Sequence, residues 1–245
     1  GPTLTKQDES IIEFVDSTFK YENERYEVGI PWKSESPKIP ENYDMAYKRL
    51  YSTEKKLSKD KTVAEMYEKT LTDYIQKGYI EAVNDDSSSC QWLMPHFPVV
   101  RLDRTTTKVR IVFDASAKCQ GVSLNDLIHQ GPKLQNDLFE ILLRFRKFPI
   151  ALVCDIAEMY LQIGVSPKDR SFFRFLWRSM DMHQTPQVYE FTRVVFGVNA
   201  SPFLAQYISR VNAQKFEPLF PKAAETVCKS TYMDDSMDSV KDVDE

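Results

Sequence analysis

Apolar residues recur at three- and four-residue intervals over 43–57 and again over 62–77, a spacing that predicts two amphipathic helices, the second stopped by Gly78. Before them, 25–32 reads as a short strand and 33–42, with Pro37 and Pro40, as an extended connector. The segment 85–89 is a polar loop. Strict alternation over 96–102 and 108–114, separated by the polar turn 103–107, predicts a hairpin carrying Arg101, Arg104 and Arg110. Leu134, Leu138, Ile141, Leu142 and Phe145 fall on one face of a helix predicted over 133–147 and ended by Pro149. The run 150–156 is apolar on both faces until Asp155, so it predicts a buried strand whose carboxylate emerges where the strand leaves the core. Strands are expected at 172–177 and 188–196 and a helix at 202–216 with proline in its first turn. Two strands, 225–233 and 236–240, form a last hairpin. Strands and helices mix without regular alternation, which predicts an α+β domain with helices packed on one face of a largely antiparallel sheet.

Composition changes this picture little. At 245 residues the chain can build one large domain or two subdomains sharing a core. Its longest apolar stretches, such as 149–154, are far too short to cross a bilayer, so no membrane partner is expected. Gly1-Pro2 reads as the remnant of a cleaved tag. Cys90, Cys119, Cys154 and Cys228 are widely spaced with no C-x-x-C, which argues for reduced thiols and an intracellular location rather than a zinc site or disulfide framework. His96, His129 and His183 are too scattered to suggest a metal site.

Charge is more informative by segment than in total. The net charge of −4 speaks against a polyanionic partner, yet residues 101–150 hold nine Lys and Arg against five acids, and residues 231–245 hold six acids against one Lys. The acids in the second segment include the adjacent pair Asp234-Asp235, following the β-prone Thr231-Tyr232-Met233. Adjacent carboxylates repel and favour neither strand nor core. Neighbouring strands lie about 4.8 Å apart, so Asp155 at one strand end and Asp234 at a hairpin tip can reach the same point. Such a group suits hard divalent cations, Mg²⁺ with Mn²⁺ as a substitute, in two-metal phosphoryl transfer, with Asp155 and Asp234 as bridging ligands and Asp235 more peripheral.

Tyr232-Met233-Asp234-Asp235, Asp155 with Tyr160 five residues on, Phe196-Gly197 leading to Ser201-Pro202 and Gln206, and Arg110-Ile-Val-Phe-Asp114 together resemble the ordered motifs of reverse transcriptases. The stretches RYEVGIPW (25–32), MPHFPV (94–99), VRIVFDASAK (109–118) and SLND (123–126) are similar to the BEL/Pao class of retrotransposon polymerases. This resemblance implies a fingers-and-palm unit. Its expected divisions are an N-terminal extension at 3–42, fingers mainly at 43–148, a first catalytic palm strand at 149–164, a returning fingers segment at 165–197 and palm with the YMDD hairpin at 198–245. It implies that Asp155, Asp234 and Asp235 bind the catalytic metals, with the carbonyl of Ile156 as a further ligand. Arg110, joined by Arg101 or Arg104, would grip the incoming triphosphate. Tyr160 would be the gate against a ribose 2′-hydroxyl, and Phe196, Gly197 and Gln206 would belong to the nucleotide pocket. Two departures stand out: the family's usual fingers lysine has no clean counterpart, and Phe196 stands where many retroviral relatives carry Gln.

The partners so implied are an RNA or DNA template with primer, deoxynucleoside triphosphates and the remainder of a longer polyprotein. The location is cytoplasmic, within a retrotransposon particle. No sequence matching the thumb, connection or RNase H domain follows Asp235, so weak grip is expected of this piece alone. Two other readings compete: a domesticated, non-catalytic module that binds nucleic acid or protein, and a metal-dependent nuclease.

Overall fold

A computed structural model describes residues 4–83, 92–102 and 107–242. Thr5 opens α1 (Lys6–Thr18) with a reciprocal capping box to Asp8, and Ile11 and Val15 bury its inner face. This helix is not among the elements expected from periodicity, although the Thr-x-x-Asp signal precedes an apolar run. Strand β1 (Lys20–Glu22) returns as β2 (Arg25–Val28), so the strand expected over 25–32 stops at Val28. Helix α2 (Tyr43–Leu57) follows the expected bounds. In α3 (Lys61–Gln76), Asp60 caps the start, and Gly78 has a φ of 67° just past the end.

The expected hairpin forms from β4 (His96–Leu102) and β5 (Thr107–Phe113), while the expected loop at 85–89 lies outside the described residues. The remaining strands are β3 (Ile80–Ala82), β6 (Ile150–Asp155), β7 (Gly164–Val165), β8 (Arg174–Trp177), β9 (Gln187–Phe191), β10 (Thr231–Tyr232) and β11 (Asp235–Val240). The remaining helices are α4 (Leu138–Phe145), α5 (Ser201–Phe216) and α6 (Pro221–Lys229).

The class is α+β, but among the described residues the single sheet expected from the sequence is replaced by three three-stranded sheets, β1-β2-β7, β3-β9-β8 and β10-β11-β6, and the separate β4-β5 hairpin. Pairing is antiparallel except between β2 and β7. An aromatic core joins two of these units. Phe113 of β5 meets Phe175 of β8 and Phe191 of β9 edge-on at 5.0 and 4.7 Å, and Tyr67 of α3 packs on Trp177. Beside this core the Arg178 guanidinium donates to both oxygens of Glu54 at 2.8 and 2.6 Å, in a pair fully removed from water. Removing either partner would strand the other charge.

Three expectations are corrected. The segment 225–233 was read as a strand, yet Pro221 in a first turn followed by Lys222, Ala223 and Ala224 favours a helix, and α6 occupies 221–229. Helix α4 starts at Leu138, because the Asp137 side chain accepts from the amides of Phe139 and Glu140, and only Ile141 is buried on its expected apolar face. Strand β6 was expected to be buried on both faces. Instead Leu152 and Val153 are 50% and 67% exposed, because β6 is an edge strand that pairs with β11 alone among the described residues, and α4 and α6 pack against β10 and β11.

His96 sits in the aromatic core at 2% exposure. Its Nε2 donates to the carbonyl of Leu176 at 2.7 Å, which leaves Nδ1 to accept from the Tyr67 hydroxyl. Burial holds its pKa down at about 4. The neutral ring is therefore favoured by folding. The contribution is intact above the unfolded value near 6.5 and is lost as pH falls toward 4. Between pH 7 and 5 the unfolding free energy should drop by about 2 kcal/mol through this one residue. Urea titrations across that range should show the slope, and His96→Asn should remove it.

Candidate active site

Strand β6 ends at Asp155, and β11 begins at Asp235. Their register pairs Asp155 directly with Asp235, followed by Cys154 with Ser236 and Val153 with Met237. One step beyond, the amide of Ile156 donates to the carbonyl of Asp234 at 2.8 Å. That bond makes 156 and 234 the hydrogen-bonded pair, so 155 and 235 form the intervening pair, in which side chains on one face approach most closely. Two carboxylates placed this way repel. All three aspartates are exposed.

Asp234 lies in the two-residue turn between Tyr232 and Asp235. Met233, first in that turn, has a φ of 56°, the left-handed value that tight hairpin turns require and that glycine usually supplies. The turn brings Asp234 and Met233 to a cavity of about 170 Å³ shared with Met159, Tyr160, Phe196 and Gln206. The Tyr160 and Phe196 rings sit 4.2 Å apart, centroid to centroid. Burial and, secondarily, the Asp234 charge push the Tyr160 hydroxyl pKa up, so it stays protonated. Four sequence-predicted residues, Asp234, Tyr160, Phe196 and Gln206, thus meet around one space.

The segment between Asp155 and Tyr160 is pinned from outside. Glu158 has a left-handed φ of 53° and accepts from Lys77 Nζ and the Tyr79 hydroxyl, each at 2.7 Å. The Lys77 hydrogen bond is the main reason its carboxyl pKa is lowered. The sequence offers no signal for Glu158 or Met159, and names Met233 and Asn125 only as members of the YMDD and SLND motifs. Asn125, within SLND, donates to the carbonyl of Gly197 and to Ser116 Oγ, each at 2.9 Å, and accepts from the amide of Asn199 at 2.9 Å. It ties the segment after Phe196 to the loop following β5.

Gly197 explains its own identity. Its φ is 101°, and a Cβ there would stand 2.1 Å from the carbonyl oxygen of Phe113 at the end of β5. Arg110 and Arg101 lie on one exposed face of the β4–β5 hairpin, opposite Val99 and Lys108 respectively. Arg104 lies outside the described residues.

The donor set fits Mg²⁺ in kind. Carboxylate oxygens are hard ligands, and Mg²⁺ takes only one or two of them from a protein, completing its shell with water and substrate phosphates. Among the described residues, no three His, Cys, Asp or Glu side chains form a ready-made metal cage. The opposed pair Asp155 and Asp235, with Asp234 one residue away, could hold such an ion.

No protein-family model and no curated protein matches the chain. Among solved structures, a foamy viral protease–reverse transcriptase in complex with double-stranded DNA is similar over 70% of this chain, at 18% identity and a TM-score of 0.51. The fold is similar to that of a reverse transcriptase. The match spans 25% of the foamy viral chain.

Gly197→Ala should destabilise the fold by about 3 kcal/mol, since the new methyl meets backbone and the left-handed conformation disfavours it. Urea denaturation measures the loss. A shift under about 0.5 kcal/mol, the level of a neutral surface change, would mean that Gly197 is not held against Phe113.

Proposed function

We propose that this chain is the fingers-and-palm part of an RNA- and DNA-directed DNA polymerase of the BEL/Pao class, which adds deoxynucleotides to a primer 3′-hydroxyl. The supporting observation is the register that sets Asp155 against Asp235 beside the cavity shared by Asp234, Tyr160, Phe196 and Gln206. Similarity to the foamy viral enzyme supports the fold on which this reading stands.

In this reading Asp155, Asp234 and Asp235 hold Mg²⁺, which would lower the pKa of the attacking hydroxyl and neutralise charge on the transferring phosphoryl group. The chain's own residues do the rest. The guanidinium groups of Arg110 and Arg101, exposed on one hairpin face, offer planar donors to the triphosphate of an incoming nucleotide. Tyr160, held against Phe196 and kept protonated, presents an aromatic wall where a ribose 2′-hydroxyl would enter. Gly197 lets the pocket floor approach the β5 backbone, and Asn125 keeps it there. Template and primer would bind through backbone phosphates, and the remaining domains of a longer polyprotein would add grip.

A second reading is a non-catalytic module on the same scaffold that binds nucleic acid or protein. Metal response separates the two. Primer extension with Mg²⁺ or Mn²⁺ should fall by about a thousandfold in Asp155→Asn or Asp234→Asn, as expected when transition-state charge loses its counterion. Mg²⁺ should also raise the melting temperature of the parent and not of Asp155→Asn. Extension that is unchanged by these substitutions would sink the polymerase reading. Tyr160→Ala should raise ribonucleotide incorporation about a hundredfold relative to deoxynucleotide if the ring is a steric gate, a scale set by discrimination built on one side-chain contact. Equal discrimination in mutant and parent would reject the gate.

A further inference from the structure

Away from the catalytic acids, the β1-β2-β7 sheet borders an open cavity of about 570 Å³ whose lining includes Lys20, Arg25, Tyr26 and Arg193. Its shape follows from local structure. Asn23 and Glu24, with φ of 50° and 59°, turn β1 into β2, and β2 pairs in parallel with β7 through Glu27 and Gly164. Arg193 bridges antiparallel to Gly164, and its guanidinium passes over that glycine, where a Cβ would lie 3.4 Å from Nη1.

One donor at this cavity lacks an acceptor among the described residues: Arg193 Nε is shielded from solvent without a hydrogen-bond partner. A buried donor without an acceptor is costly, and native structures rarely keep one unless a ligand or water completes it. The cations here are also crowded. Arg193 is destabilised as a cation by burial first and then by the positive charges of Arg25 and Arg170. The nearby acids do not cancel them. Glu27 is taken by Arg170 at 3.4 Å, whose other terminal nitrogen faces Glu81 at 3.9 Å, while Arg25 donates to neutral Gln162 at 3.2 Å and Glu22 stays exposed on β1.

We propose that this cavity is a phosphate-binding site, in which Arg193 supplies the buried donor and Arg25 and Lys20 further charge. A phosphate group matches the planar guanidinium fork and accepts several hydrogen bonds at once. It can arrive free or on a polynucleotide. An adjoining cavity of about 450 Å³ shares Asn23, Arg25 and Tyr26 and reaches Ile156 and Met159, so a strand anchored here has a route toward the end of β6. The site does not depend on the catalytic acids, and it stands or falls separately from polymerase activity.

The test is the Arg193 Nε–Hε resonance of the full chain in EDTA. It is titrated with inorganic phosphate, with a 5′-phosphorylated single-stranded oligodeoxynucleotide, and with the same oligonucleotide bearing a 5′-hydroxyl. Sodium chloride at matched ionic strength is the control. A saturable shift with phosphate assigns a free or terminal phosphate, whereas a shift only with the oligonucleotides assigns a backbone phosphodiester. Either result supports the site, and both should persist in Asp155→Asn. Arg25→Gln and Lys20→Gln alter exposed side chains, so the fold should hold while affinity drops about tenfold for Arg25→Gln, the loss of one charge-assisted contact. No saturable shift beyond the chloride control, or unaltered affinity in both variants, overturns the proposal.

Discussion

The pairing of β6 with β11 is the constraint on which the candidate site depends. Side chains alternate along a strand, so sliding either strand by one residue would send Asp155 and Asp235 to opposite faces. The observed register does the reverse, setting two carboxylates directly across from each other where the strands approach most closely. Repulsion of this kind works against the fold, and a cation between the side chains converts it to attraction.

Around that pairing the backbone takes conformations that ordinary residues avoid. Met233 in the hairpin turn, Glu158 after Asp155 and Gly197 after Phe196 all have positive φ. Each is held by something remote in sequence: Met233 by the β10–β11 ladder, Glu158 by Lys77 and Tyr79, Gly197 by the Phe113 carbonyl and Asn125. Backbone held in such conformations costs about 1–3 kcal/mol per non-glycine residue and persists only where the surrounding structure fixes it. The aromatic core that joins β5 to β8 and β9 fixes Phe113, and through it the level at which Phe196 and Gly197 run.

The apolar surface is distributed unevenly. Residues Phe139, Leu143, Leu152 and Val153 are exposed on α4 and β6, beside a strand edge without a partner among the described residues. Elsewhere the core runs without interruption from Ile11 of α1 to Ile208 of α5. The sheet bearing the aspartates is therefore the least covered of the three, and its acids stand in water at one end of an apolar edge.

Much of the secondary structure was legible in the sequence. The bounds of α2 and β4 and the stop at Gly78 follow from periodicity and turn chemistry, which are local, whereas the last turn, expected at 234–235, falls at 233–234 and leaves Asp235 in β11. The resemblance of separated motifs to reverse transcriptases anticipated that Asp234, Tyr160, Phe196 and Gln206 would meet. Three errors have separate causes. An apolar run says that a segment would gain from burial, not that a neighbour is there to bury it, so 150–156 read as interior although β6 is an exposed edge. Helical propensity at 221–229 was outweighed by the nearby hairpin pattern, and α4 lost its first turn to the Asp137 cap. What only tertiary structure decided was which distant groups share a space. The register of Asp155 with Asp235, the contact that makes residue 197 a glycine and the gathering of Arg25, Arg170 and Arg193 depend on packing between segments far apart in the chain, and no local pattern encodes those distances.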